Sequence, residues 1–143
     1  MTRFTTRSRE RLKQDDGAVI VEFAAIFIVF AMLLWGLISY GVVFAAQQSL
    51  THAASEAARS TVGIPDPVEA EQRAIEMLDE ELTWLADGLD EREATVAPCE
   101  NDATRDCMTV RVTYDWGNNP IVPSILDVAT PDTLTGRAVV QFR

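Results

Sequence analysis

Residues 18–46 form an apolar run interrupted by a single charge, Glu22. As an α-helix this run would extend about 44 Å, against a bilayer hydrocarbon core of roughly 30 Å. It is therefore long enough to span a membrane with a turn or two to spare. A secretory signal would need an apolar stretch of only about 7–15 residues before a small-residue cleavage site. The string VVFAAQQ near Ala46 imitates such a site, but the run before it is about twice too long, and Glu22 has no place in a signal core.

Charge divides the chain on either side of this run. The 1–17 segment carries Arg3, Arg7, Arg9, Arg11 and Lys13 against Glu10, Asp15 and Asp16. Residues 47–143 carry 18 acidic and seven basic side chains, and so set the sign of the chain's net charge of -10. A basic flank before the span and an acidic body after it give a cytoplasmic N-terminus and an extracytoplasmic C-terminal part. The same acidity argues against nucleic acid, which requires clustered Lys and Arg, and against docking on anionic lipid heads.

The helix is expected to continue beyond the membrane. In QQSLTHAASEAARS, Leu50, Ala53, Ala54, Ala57 and Ala58 share one face, and Gly63 with Pro65 closes the element. A second helix starts at DPVE, with Asp66 as cap, Pro67 at the first helical position and Glu69 at the capping-box position. Val68, Ile75, Leu78, Leu82 and Leu85 follow at helical spacing and Gly88 is a natural stop. The opposite face, with Glu69, Glu76, Asp79, Glu80 and Asp87, reads as solvated. EATVAP, CMTVRVTYDW and LTGRAVVQFR alternate or are rich in β-branched residues, as strands do. ENDATRD reads as a polar hairpin loop, and WGNNPIVPSILDVATPDT as a long connection. The expected fold is α+β: a long N-terminal helix, membrane-embedded in its first half, a second amphipathic helix and a small antiparallel sheet of about three strands. The expected division is a leader at 1–17, a transmembrane helix at 18–46, its extramembrane continuation at 47–64 and an outer domain at 65–143.

Chemistry-bearing patterns are sparse. His52 is the only histidine, and no nucleophile, P-loop, glycine-rich fingerprint or HExxH motif accompanies it. Asn101, Asp102 and Asp106 fit no calcium loop. Cys99 and Cys107 lack zinc spacing, and outside the cytoplasm a disulfide is the natural reading. Closing so short a loop would stabilise the fold by roughly 2–3 kcal/mol. No enzyme, metal or cofactor is expected.

The boundary at Gly17 carries the remaining information. Gly17 is followed by Ala18, an apolar stretch with Glu22 at the fifth position, and then Phe23. This pattern resembles the processing site of type IV pilin-like precursors, and Glu-aromatic most resembles the tight-adherence (Tad/Flp) branch. From Gly17 onward, with Gly36, Gly41 and the Ala-rich stretch at 53–59, the segment is similar to the TadE-like pilus assembly proteins. Many relatives carry a proline in the apolar run, an acid just before the second glycine and an arginine just after it; here there is no proline, and the uncharged Ser39 and Val42 stand in the neighbourhood of those two positions. The resemblance implies cleavage between Gly17 and Ala18 by a prepilin peptidase, with Glu22 and Phe23 serving recognition and subunit assembly. It implies a minor pilin or pseudopilin in the cytoplasmic membrane. Its partners would be the peptidase, other Tad pilins and pseudopilins, the inner-membrane assembly platform and membrane lipid. An unprocessed, membrane-anchored binding module that never enters a filament is the alternative.

Overall fold

The computed structural model describes residues 7–123 and 130–142, with the side chains of residues 7–16 left aside. Part of the long connection, residues 124–129, lies outside the described residues, as does the beginning of the leader. Element order is α1 (Arg7–Ser60), α2 (Pro67–Glu81), a 3-10 segment (Thr83–Gly88), β1 (Leu89–Cys99), β2 (Asp102–Asp115) and β3 (Thr133–Gln141). The architecture is the expected α+β one. The chain divides between Ile38 and Ser39 into two compact units.

In the first unit, every described residue from Gly17 to Ile38 is helical, and all but Gly36 are exposed. At 1.5 Å per residue, 18–38 extends about 32 Å, close to the roughly 30 Å of a hydrocarbon core. The helix is long and apolar enough to cross a membrane, with a mean hydropathy of 2.6 over its most apolar window.

The second unit has a three-stranded antiparallel sheet in the order β1-β2-β3. Its period-two alternation sorts the side chains cleanly. Met108, Val110 and Val112 of β2 and Leu134 of β3 lie in the core. Their neighbours Thr109, Arg111, Thr135, Arg137 and Val139 fall on the opposite face. The helices cover the buried side. The α1 stripe Leu50, Ala53, Ala54, Ala57 and Ala58 is fully sequestered, and Val43 and Ala46 belong to the same core. Small residues permit close approach: a Cβ on Gly136 would run into the carbonyl group of Leu50. Beside it, the Gln47 side chain donates to the Thr135 carbonyl over 2.8 Å. The helix ends at Ser60, and Gly63 turns the chain with φ 95°.

Asp66 caps α2 by accepting from the Val68 N–H at 3.1 Å. The buried stripe of α2 is Ala70, Ala74 and Leu78. Val68, placed on the apolar face by its spacing, is 60% exposed. It lies two residues, about 200° around the helix, from Ala70, so the face that buries Ala70 turns Val68 outward. The helix also stops before Gly88, where its periodicity pointed. At the cap residue Leu82 the chain tightens into the 3-10 segment, whose first turn sets Leu85 three residues on, and both leucines lie in the core. Gly88 is needed for contact as well as for stopping, because a Cβ there would enter the ring of Tyr114.

The hairpin between the cysteines also differs from the expected seven-residue polar loop. Cys99 pairs with Asp102, leaving only Glu100 and Asn101 as the turn, and the register jumps between Pro98 and Cys99. Residues 103–105 are absorbed into β2 as an irregularity. Asp102 stabilises it by accepting from the Thr104 backbone N–H at 3.1 Å and its hydroxyl at 2.6 Å. These bonds hold the Asp102 carboxyl below the usual carboxylate range. The Cys99–Cys107 disulfide, with Cα atoms 5.0 Å apart, staples this end. The β1 edge is closed as well: Glu71 of α2 accepts from the Val96 N–H at 2.9 Å, and Pro98 has no N–H to offer.

Candidate functional site

Two places concentrate the residues singled out from sequence. The first lies along α1 in the first unit. Gly17 and Ala18 are inside the helix, so the peptide bond joining them has helical turns on either side. Among the described residues, and apart from its own helix backbone, nothing lies within 4 Å of the position a Gly17 Cβ would take, so packing against another element does not explain the glycine. In a helix interior glycine costs about 1 kcal/mol relative to alanine, which leaves this turn the easier to open. Four residues on, Glu22 shares a face with Ala18. Its carboxylate sits on an exposed surface among apolar side chains. Phe23 is 67% exposed and its ring stacks on Phe27, with centroids 6.0 Å apart. Aromatic pairs at this spacing support an isolated helix modestly. This surface can offer lipid or a neighbouring helix a wide apolar face bearing one carboxylate.

Residues 17–59 match the TadE family, described as TadE-like protein. Over this stretch the chain is similar to TadE-like proteins. The match starts at Gly17 and ends at Arg59, one residue before α1 ends. The TadE-like segment therefore comprises α1 from the glycine onward: the apolar half in the first unit, and the Ala-rich half packed into the second. The sheet, α2 and the hairpin fall outside it. No curated protein matches the chain. No solved structure matches it either.

The second place is the cysteine-stapled end of the sheet, far along the chain from the TadE-like segment. Its polar groups are engaged with one another. Arg105 pairs with Asp102 at 3.2 Å and donates to the Gln141 side chain at 3.1 Å. Across the sheet, Asp115 accepts from Asn118 through backbone N–H at 3.1 Å and side-chain amide at 2.6 Å. That pulls its carboxyl below the ordinary range. Burial, reinforced by Asp87 and Asp115, pushes the Tyr114 phenol up, and its hydroxyl donates to the Asn119 carbonyl at 2.7 Å.

Elsewhere, an open hollow between α2 and β1 is lined by Glu71, Ile75, Glu76, Arg92 and Glu93. Three of its charges are already committed: Glu71 to β1, Glu76 to Arg73, and Arg92 to Asp79. Among the described residues no group of three His, Cys, Asp or Glu is placed to hold a metal ion. Asp102, raised above as a calcium candidate, is occupied by Thr104 and Arg105. Sequence reasoning missed the intimate contact of Gly136 with Leu50, because only the folded register brings the two together.

Proposed function

We propose that the protein is a minor pilin or pseudopilin taking part in assembly of a Tad (Flp, type IVc) pilus, matured by a prepilin peptidase that cuts between Gly17 and Ala18. The observation that carries this reading is the family match, which begins at the glycine and includes Glu22 and Phe23. In this account the basic leader stays cytoplasmic, residues 18–46 anchor the chain in the inner membrane, and the outer domain lies beyond it. The protein works by assembling, without catalysis or cofactor. Its partners are the peptidase, other Tad pilins and pseudopilins, and the assembly platform.

Physical chemistry gives Glu22 its role. A carboxylate at the centre of a membrane helix costs roughly 2.5–3.5 kcal/mol, and less near its ends. Cleavage would place an ammonium on Ala18, at the positive end of the helix dipole where a cation is disfavoured. One turn later on the same face, Glu22 offers it a partner, as does the Glu22 of a neighbouring subunit. Pairing offsets part of the desolvation of both charges. Pairing between subunits also sets an axial register that a smooth apolar helix lacks.

The intact mass of the protein extracted from its native membranes tests the proposal. A chain starting at Ala18 is expected, and Gly17→Val should retain the leader. Glu22→Ala should impair piliation. Wild-type protein that keeps its leader beside an active prepilin peptidase would refute it and favour an anchored binding module.

A further inference from the structure

Among the described residues, the second unit exposes seven large apolar side chains, and they are unevenly placed. Val62 and Val68 flank the turn between α1 and α2, and Val139 stands on the open face of the sheet. The other four, Tyr40, Phe44, Trp84 and Ile121, gather at one end of the unit. They include every exposed aromatic ring described in it, whereas Tyr114, Trp116 and Phe142 lie in the core. Single exposed apolar residues need no explanation, but a concentration of them does.

That end is where β1 begins, β2 finishes and β3 begins. Leu89 lies opposite Tyr114 there, and Tyr114 opposite Leu134. The 3-10 segment closes it, seated through Leu85 and Gly88, with Trp84 left 54% exposed. The loop after β2 folds back over it: the Asn119 N–H donates to the Asp115 carbonyl at 3.1 Å, and the Asn119 carbonyl accepts from Tyr114. Ile121 follows two residues later. The helix arrives at the same end. Its contacts step from Gln47 at Thr135 to Leu50 at Gly136, so α1 runs in the direction of β3. The preceding turns, with Phe44 and Tyr40, therefore lie toward Thr133.

These segments share a second property. Neither 82–86 nor 116–126 contains a charged residue, and α1 has no Asp, Glu, Lys or Arg between Glu22 and Glu56. The opposite end of the sheet has Glu100, Asp102, Arg105 and Asp106 around its disulfide. Acids do rim the aromatic end. Asp87, Asp90 and Asp132 are exposed, while Asp115 is turned onto Asn118. Such a rim is repelled by anionic headgroups and leaves neutral ones accessible. Trp and Tyr concentrate at the boundary between hydrocarbon and water, where an apolar ring with one polar group is best accommodated. The second unit begins at Ser39, directly after the exposed apolar residues of the membrane-length helix.

We infer that this end of the second unit rests in the headgroup layer of a neutral bilayer, with Trp84 and Ile121 making the contact beside Tyr40 and Phe44. The unit is thereby seated on the membrane surface instead of being held off it on a stalk. So small a contact is weak by itself, and tethering through α1 supplies the effective concentration that maintains it. The inference rests on α1 being a membrane anchor, and not on processing or pilus membership.

Tryptophan fluorescence of the full-length chain in phosphatidylcholine vesicles tests this, with the lipid brominated near the glycerol end of its chains. The chain has three tryptophans, Trp35, Trp84 and Trp116. Subtracting the spectrum of Trp84→Phe from that of wild type isolates Trp84, and Trp35→Phe isolates Trp35 in the same way. Both positions are exposed, so neither variant disturbs the core. Trp35 should lose emission to the brominated lipid, which establishes the anchor. Trp84 should lose it too, emit to the blue of indole in water, and resist iodide supplied on both sides of the membrane. If Trp35 is quenched by the lipid while Trp84 is quenched only by iodide, the anchor stands and this inference is overturned. A Trp84 shielded from iodide yet untouched by brominated lipid is covered by protein, which also overturns it. If the lipid quenches neither residue, the anchor reading falls and this inference falls with it.

Discussion

The contact between Gly136 and Leu50 permits a sharp test of how the TadE-like helix is seated on the sheet. Gly136→Ala adds one methyl group where the carbonyl oxygen, carbonyl carbon and Cβ of Leu50 already stand. The obstacle is backbone on both sides, so no side chain can swing away. The helix would have to lift from the sheet, and lifting it opens the packing of Leu50, Ala53 and Ala54, all of which are sequestered. Overpacking a core costs about 1–3 kcal/mol, and a backbone-to-backbone collision belongs at the upper end. Against this, replacing glycine reduces the freedom of the unfolded chain by about 0.4–1 kcal/mol. The net loss is about 2 kcal/mol. For a unit of this size each kcal/mol moves Tm by roughly 4–8 °C, so a fall of about 8–16 °C is expected. Near-UV circular dichroism of the full chain in detergent micelles reports it through Tyr114 and Trp116, whose rings lie 6.1 Å apart beside the sheet. Gly41→Ala is the control: it is also on α1, nothing lies within 4 Å of the added methyl, and alanine favours the helix. A Gly136→Ala melt indistinguishable from wild type would mean that the helix is not held against the sheet at this point.

Tyr114 should make the outer unit sensitive to alkali. Its phenol is pushed up in the folded state, so its contribution is complete below the unfolded value of about 10 and is lost as pH rises through the higher folded value. Tyr114→Phe should flatten the decline of Tm above pH 10, while lowering Tm at neutral pH by removing the bond to the Asn119 carbonyl; an unchanged alkaline slope would exclude the phenol as its source. Replacing both cysteines by alanine should lower stability by about 2–3 kcal/mol, read as a shift in the urea midpoint at constant slope, and an unshifted midpoint would show that the hairpin is held without its staple.

Much of this architecture was legible in local patterns. The apolar run, the Asp66-Pro67 helix start and the alternation of Met108, Val110, Val112 and Tyr114 each depend on neighbours within a few residues. The Gly17–Phe23 pattern was legible for the same reason. What escaped depends on register. Val68 has the right residue type and a plausible spacing, but alanines decide which face of α2 approaches the sheet. The stretch 103–105 is polar enough for a loop, yet the bulge and the disulfide carry it into β2. No reading of spacing along the chain could make Arg111 and Arg137 neighbours, because they meet only after β2 and β3 pair.

Val43 and Ala46 have a consequence for anyone cutting this protein. By hydropathy both belong to the membrane run; by packing both belong to the core of the outer unit. A soluble fragment starting at residue 47 would therefore leave behind part of its own interior. It would expose the apolar surface those two side chains cover and would begin at Gln47, whose bond to Thr135 ties the helix to β3. The boundary that matters for secretion and the boundary that matters for folding are offset by more than a helical turn, and a stable excised domain has to carry its last membrane-like turn with it.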